Sequence, residues 1–156
     1  MSRQPTRELR QFLSSFNGDV SKKIIWLREF VWDLYPSANE LIYDNYNALA
    51  IGWSLTDRLG HTFCSIAAMR TGNIHFGFYR GNELNDPLHL LRGEGKQYRY
   101  LLVNELKDFP RTYISQLMQQ AYAYALARVK DKSQIKKALT ITKSISPRKR
   151  AAKRSE

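Results

Sequence analysis

The 156-residue chain predicts an α+β fold, an antiparallel β-sheet packed by N- and C-terminal helices, on three observations. Val20, Ile24, Leu27, Val31 and Leu34 recur at spacings of four and three, the period of a helix with one buried stripe. From about Glu40 the period falls to two: Leu49, Ile51, Trp53 and Leu55 alternate with Ala48, Ala50, Gly52 and Ser54, as on a strand. Behind Pro110 the helical period returns in Ile114, Leu117, Met118, Ala121 and Ala125. Hydrophobic residues make up 43% of the chain and aromatics 12%, enough for one continuous core in a single compact domain.

The elements follow in order. A short first helix is expected over residues 6–16, closed by Asn17 and Gly18. Asp19 then caps the second helix, and Pro36 ends it by disfavouring helical backbone at Tyr35 and lacking a donor. After the strand around Ile51 comes a polar loop over 57–60. Residues 61–70 and 73–80 read as the two strands of a hairpin. A two-residue loop, whether Thr71 with Gly72 or Gly72 with Asn73, places Ala67 and Met69 on the core face with Ile74, Phe76 and Phe78. The opposite face then collects Ala50, Gly52, Cys64, Ile66, Ala68, His75, Gly77 and Tyr79. Such small side chains either admit a closely packed helix or leave a shallow groove.

Pro87 stands where a helical turn opens, with Gly93 as its left-handed cap. Residues 97–103 resume strand alternation, and Pro110 takes the first position of a C-terminal helix running to about Val129. Ser133 caps a short helix carrying Ile135, Ala138, Leu139 and Thr142. From Ser144 the composition is that of disordered chain. The expected organisation is a domain over residues 1–129 and a basic, largely disordered tail over 130–156.

The charge agrees with that division. The formal charge is +11, and eleven of the 25 cations lie from Arg128 onward against two of the 14 anions. Residues 128–156 carry +9 and the first 127 residues +2, so attraction to polyanions belongs to the tail. Arg148, Lys149, Arg150, Lys153 and Arg154 are its candidate phosphate contacts, nonspecific and salt-sensitive. No aromatic residue follows Tyr124, so base stacking by the tail is absent. No run approaches 18 apolar residues and the start MSRQPTRELRQF has no apolar core of a signal peptide, which predicts a cytoplasmic chain without membrane spans. The one cysteine, Cys64, makes no internal disulfide and fits a reducing compartment.

Catalytic patterns are missing. His61, His75 and His89 are scattered, with no HExxH and no paired cysteines, so no metal site or cofactor motif is expected. Cys64 sits mid-strand among apolar neighbours as a small hydrophobe. No carboxylates are paired at a spacing for acid and base work. The expectation is a protein that is not an enzyme.

Two clusters suit ligand binding. Gly93 and Gly95, flanked by Arg92, Lys96 and Arg99, allow backbone amides to converge on an anion; a helix cap followed by a tight turn explains the same residues. Tyr43, Asp44, Asn45, Tyr46 and Asn47 offer amides and phenols to a small polar ligand, or form the bend that leads into a strand.

The segments IYDNYNALAIGW (42–53), FCSIA (63–67), IHFGFYRGNEL (74–84), DPLHLLRGEGKQYRY (86–100) and the helix after Pro110 together resemble the YdhG-like family, a bacterial domain family of unknown function. The resemblance spans residues 9–127. It implies an antiparallel sheet packed by N- and C-terminal helices, and no established enzymatic activity. A frataxin-like iron chaperone has also been assigned to that family, which implies iron handling as an alternative. The leading expectation is a binding module for a small polar or anionic ligand or a protein partner, with weak nucleic-acid association through the tail as a further alternative.

Overall fold

The computed structural model describes residues 3–151. Helix α1 (Arg7–Leu13) begins where the Thr6 hydroxyl accepts the Leu9 amide at 3.1 Å, and it ends three residues short of the expected Phe16. Helix α2 (Gly18–Leu34) is capped by Asn17, whose Oδ1 accepts the Val20 amide at 2.9 Å. Asp19, the expected cap, lies inside the first turn and pairs with Lys23 at 3.0 Å. Val20, Ile24, Leu27 and Val31 are buried as the stripe requires, but Leu34 remains 45% exposed because α2 ends there.

Strands β1 (Asn39–Asp44), β2 (Ala48–Ser54), β3 (Thr62–Met69), β4 (Ile74–Phe78) and β5 (Arg99–Val103) form an antiparallel succession. Helix α3 (Arg111–Arg128) follows, with Pro110 as its cap residue rather than its first helical one. Strand β6 (Thr140–Ile145) then adds to the far edge, parallel to β1. The sheet order is β5-β4-β3-β2-β1-β6. The α+β class stands, with a mixed sheet in place of an all-antiparallel one.

The β6 strand corrects the expected domain boundary. Residues 132–134 form a single 3-10 turn, no helix follows Ser133, and the chain is part of the sheet through Ile145. Beyond it the Ser146 amide donates to the Asp44 carbonyl at 2.8 Å and the Arg150 amide to that of Tyr46 at 2.9 Å. Residues 130–151 therefore belong to the folded unit. The β-branched run Thr140-Ile141-Thr142 suits a pleated edge, and β1 supplies the partner that a sequence window lacks.

The β3–β4 hairpin also differs. Its loop holds three residues, Arg70, Thr71 and Gly72, closed by the Met69 amide on the Asn73 carbonyl at 2.8 Å, with Gly72 at φ 106°. A turn ending in one left-handed residue is the usual three-residue hairpin, and glycine takes that conformation without strain. The extra residue is Arg70, held back by its amide on the Asn47 carbonyl and its guanidinium on Asp44. Ile66 therefore faces Phe76 and Ala68 faces Ile74, while Ala67 pairs with His75 and Ser65 with Gly77. Cys64, Ile66 and Ala68 lie on the core side, and Ala67 and Met69 on the other, the reverse of the two-residue expectation.

All three helices contribute to one core with Leu49, Ile51, Trp53, Ile66, Phe76 and Phe78. The opposite face of the sheet carries no helix among the described residues. Among the described residues no helix is long and apolar enough to cross a membrane. Residues 85–98 are irregular, not the helical turn expected after Pro87. Asp86 organises them by accepting the amides of Leu90 and Leu91 at 3.1 and 3.0 Å and the Tyr113 hydroxyl. Burial pushes the Asp86 carboxyl up, but these bonds outweigh it and hold it below its ordinary value.

Candidate functional site

The two expected ligand clusters lie at different edges of the sheet. Tyr43 and Asp44 end β1, and Asn45, Tyr46 and Asn47 make the turn into β2. Arg92 flanks the outer side of β5 through an isolated bridge to Tyr100. Three strands intervene, about 19 Å at the usual ~4.8 Å spacing, so no small ligand touches both.

Each cluster is also held by its own bonds. The Asp44 carboxylate is buried and receives Arg70 Nη2 at 2.6 Å and Lys149 Nζ at 3.1 Å. Asn45 Oδ1 accepts the Ser144 hydroxyl at 2.8 Å, and the Asn47 carbonyl accepts the Arg70 amide. In the other cluster Arg99 Nη1 donates to the carbonyls of Gly95 at 2.6 Å and Tyr98 at 2.8 Å, which turns this cation onto its own loop. Gly93, at φ 135°, packs its backbone against Tyr98 and lets Arg92 bridge to Tyr100. Lys96 stays exposed. Among the tail cations, Lys149 is committed to Asp44, while Arg148 and Arg150 are exposed. Lys153 and Arg154 lie outside the described residues.

The potential nucleophile and bases are likewise engaged. Burial pushes the Cys64 thiol well above its ordinary value, so the thiolate is suppressed. His61 Nδ1 lies 2.8 Å from the Thr56 hydroxyl, and burial, then Arg58 and Arg128, lower its pKa. His75 stacks on Tyr100 at a 3.9 Å centroid distance, and burial lowers its pKa too. Among the described residues no three His, Cys, Asp or Glu side chains converge so as to hold a metal ion.

Two features that sequence reading missed remain. The first is a cleft of about 300 Å³ between the end of α2 and residues 36–38 on one side and Leu55, β3, α3 and residues 135–137 on the other. Its floor is a triad of rings: Tyr35 lies 4.9 Å from Phe63 and 4.8 Å from Tyr122, and Phe63 5.2 Å from Tyr122. Lys136 and Lys137 line its wall, and none of its lining residues is acidic. Asn39 builds that wall from inside the protein: its Nδ2 donates to the carbonyls of Lys136 at 2.9 Å and Ser54 at 3.1 Å, and its Oδ1 accepts the Leu139 amide at 3.0 Å.

The second is the helix-free sheet face. Pairing sets Arg92, Tyr100, Gly77, Ser65, Gly52 and Leu41 in one row and Leu102, His75, Ala67, Ala50 and Tyr43 in the next. A Cβ on Gly77 would overlap the Tyr98 ring, so glycine here lets Tyr98 lie flat on the sheet. Burial pushes the Tyr98 phenol up to about 12, against a bond with Ser65 that lowers it. Comparison with family models, with curated proteins and with solved structures returned no match.

Proposed function

We propose that the chain is a non-enzymatic binding module of the YdhG-like type, working in the bacterial cytoplasm on a small organic anion with an apolar body. The observation that carries this reading is the cleft of Tyr35, Phe63, Tyr122, Lys136 and Lys137. Rings that lose water against an apolar body provide affinity, and lysine ammonium groups select a carboxylate, sulfonate or phosphate. A lysine-walled cleft repels ferrous ion, which favours the organic anion over the frataxin-like iron role. The suppressed thiol and engaged histidines support binding over catalysis, and a lone buried thiol suits a reducing compartment.

The test is a fluorescence titration of the full chain with 8-anilinonaphthalene-1-sulfonate, an aromatic sulfonate, with aromatic carboxylates as competitors. Saturable binding that falls at least tenfold in K136E/K137E, with the melting temperature unchanged, is the expected result. Affinity indifferent to that charge reversal, or dye uptake only as the protein unfolds, would overturn the reading.

A further inference from the structure

The helix-free face is built as a stacking surface. Tyr98 and Tyr100 stack at 5.8 Å with 23° between planes, and Tyr100 stacks on His75 at 3.9 Å with 6°. Tyr79 closes the far end edge-on to Tyr98 at 6.4 Å. Beyond His75 the same row continues over the small side chains of Ala67 and Ala50 to the ring of Tyr43. His75 in β4 and Tyr43 in β1 stand three strand spacings apart in this row, about 14 Å, with a floor of Ala67 and Ala50 between them. A flat aromatic group set on that floor extends the column. The rims are cationic: Arg92 stands beside Tyr100, and the chain after β6 carries the exposed Arg148 and Arg150 past the β1–β2 turn. Neither row contains an acidic residue.

From this arrangement we propose a further binding activity: the face takes unpaired bases of a single-stranded nucleic acid, stacked between His75 and Tyr43, with the phosphates drawn to Arg92 on one rim and Arg148 and Arg150 on the other. Rings on an open sheet bracketed by cations are what sequence-tolerant single-strand binding requires, since every base has a π-face and every phosphate a charge. A second copy of this chain is the poorer occupant, because the formal charge of +11 and the cationic rims set two such faces against each other. The tail cations thereby acquire the aromatic partners that their own segment lacks.

Fluorescence anisotropy of the full chain with labelled oligo-dT and oligo-rU of about a dozen nucleotides, within the ~4–16 that an OB-fold domain covers, tests the proposal. Saturable binding that weakens with salt is expected. His75→Ala and Tyr43→Leu should each weaken it about tenfold, and Tyr43→Phe should retain it. Ala67→Leu fills the floor without removing a ring and should abolish binding, with circular dichroism and melting temperature confirming each variant's fold. R92A and R148A/R150A should flatten the salt dependence. Three results overturn it: no saturable binding at low salt, ring variants that bind as well as the parent while the arginine variants do not, and equal competition by polyaspartate. Self-association that Ala67→Leu abolishes, without oligonucleotide binding, would assign the face to a second copy instead.

Discussion

Lys149 Nζ lies 3.1 Å from Asp44 Oδ2, and Arg70 Nη2 takes the other oxygen of the same carboxylate at 2.6 Å. A cation from beyond β6 and another from the β3–β4 loop so converge on one buried acid at the end of β1. The C-terminal segment is thereby part of the fold's polar interior. A chain ending at Val129 loses β6, the Lys149 contact and two of the three bonds to the Asn39 amide, at about 1–3 kcal/mol for each buried group left unpaired. Its urea midpoint should fall sharply, whereas Lys149→Ala, which leaves Arg70 on Asp44, should cost only ~1 kcal/mol or less. Truncation without loss of stability would return this segment to the status of an appended tail.

Glu40 and Arg28 form the second buried pair, with Nε to Oε2 at 2.5 Å, Nη2 to Oε1 at 3.1 Å and both side chains excluded from solvent. Glu40→Gln leaves the buried guanidinium with the Arg3 carbonyl but without a counter-charge and should destabilise by about 3–5 kcal/mol. Arg28→Met combined with Glu40→Leu should cost far less than the sum of the single changes. A double-mutant cycle in urea measures the coupling, and additive losses would contradict a direct ion pair.

Gly77→Ala should lift Tyr98 off the sheet at a cost of about 1–3 kcal/mol, as overpacking does. In the parent, the Tyr98 phenol is pushed up to about 12 from its ordinary value of 10. Between these values the unfolded chain has released the proton and the folded one keeps it, so stability is full below pH 10 and declines as pH rises through about 12. Tyr35, Tyr43, Tyr79 and Tyr113 are raised as well, so the parent should show several delayed phenols in an ultraviolet pH titration, with a step near 12 assigned to Tyr98. In Gly77→Ala that late step should move toward 10; a step unmoved by the substitution would mean that something other than the Gly77 cradle protects the phenol.

Cys64, fully buried on the core side of β3, should resist alkylation by iodoacetamide in the folded protein at neutral pH and react at once in denaturant. Mass spectrometry of the quenched protein reads the result directly. Rapid modification under native conditions would show that β3 opens far more readily than its central place in the sheet implies.

Much of the architecture was legible in the sequence because it rests on local periodicity. The stripes of α2 and α3 appear in the chain as they appear in the fold, Leu34 apart, and the alternation around Ile51 marks β2 with its bulky side inward. The hairpin parity turned on loop length: Gly72 serves a two-residue loop or the left-handed end of a three-residue one, and the contact that accompanies the longer loop, Arg70 on Asp44, lies 26 positions away. Strand β6 had a signal in its β-branched run, but the surrounding lysines and arginines outweighed it. The cleft depends on Asn39 reaching Lys136 and Leu139 across about 100 positions, so its lysines looked like any other charges of a basic segment. For the same reason, Tyr43 and Arg92 looked like neighbours in chemistry though the sheet holds them apart.

The place of β6 in the chain also sets an order of events during synthesis. All five other strands precede it, so as the protein leaves the ribosome β1 emerges early and then waits for about 100 residues with one row of amides and carbonyls unpaired. Over that interval the nascent sheet is open to any passing strand. The edge closes only when β6 pairs with β1, and the lysines and arginines that surround β6 in the chain emerge at about the same time.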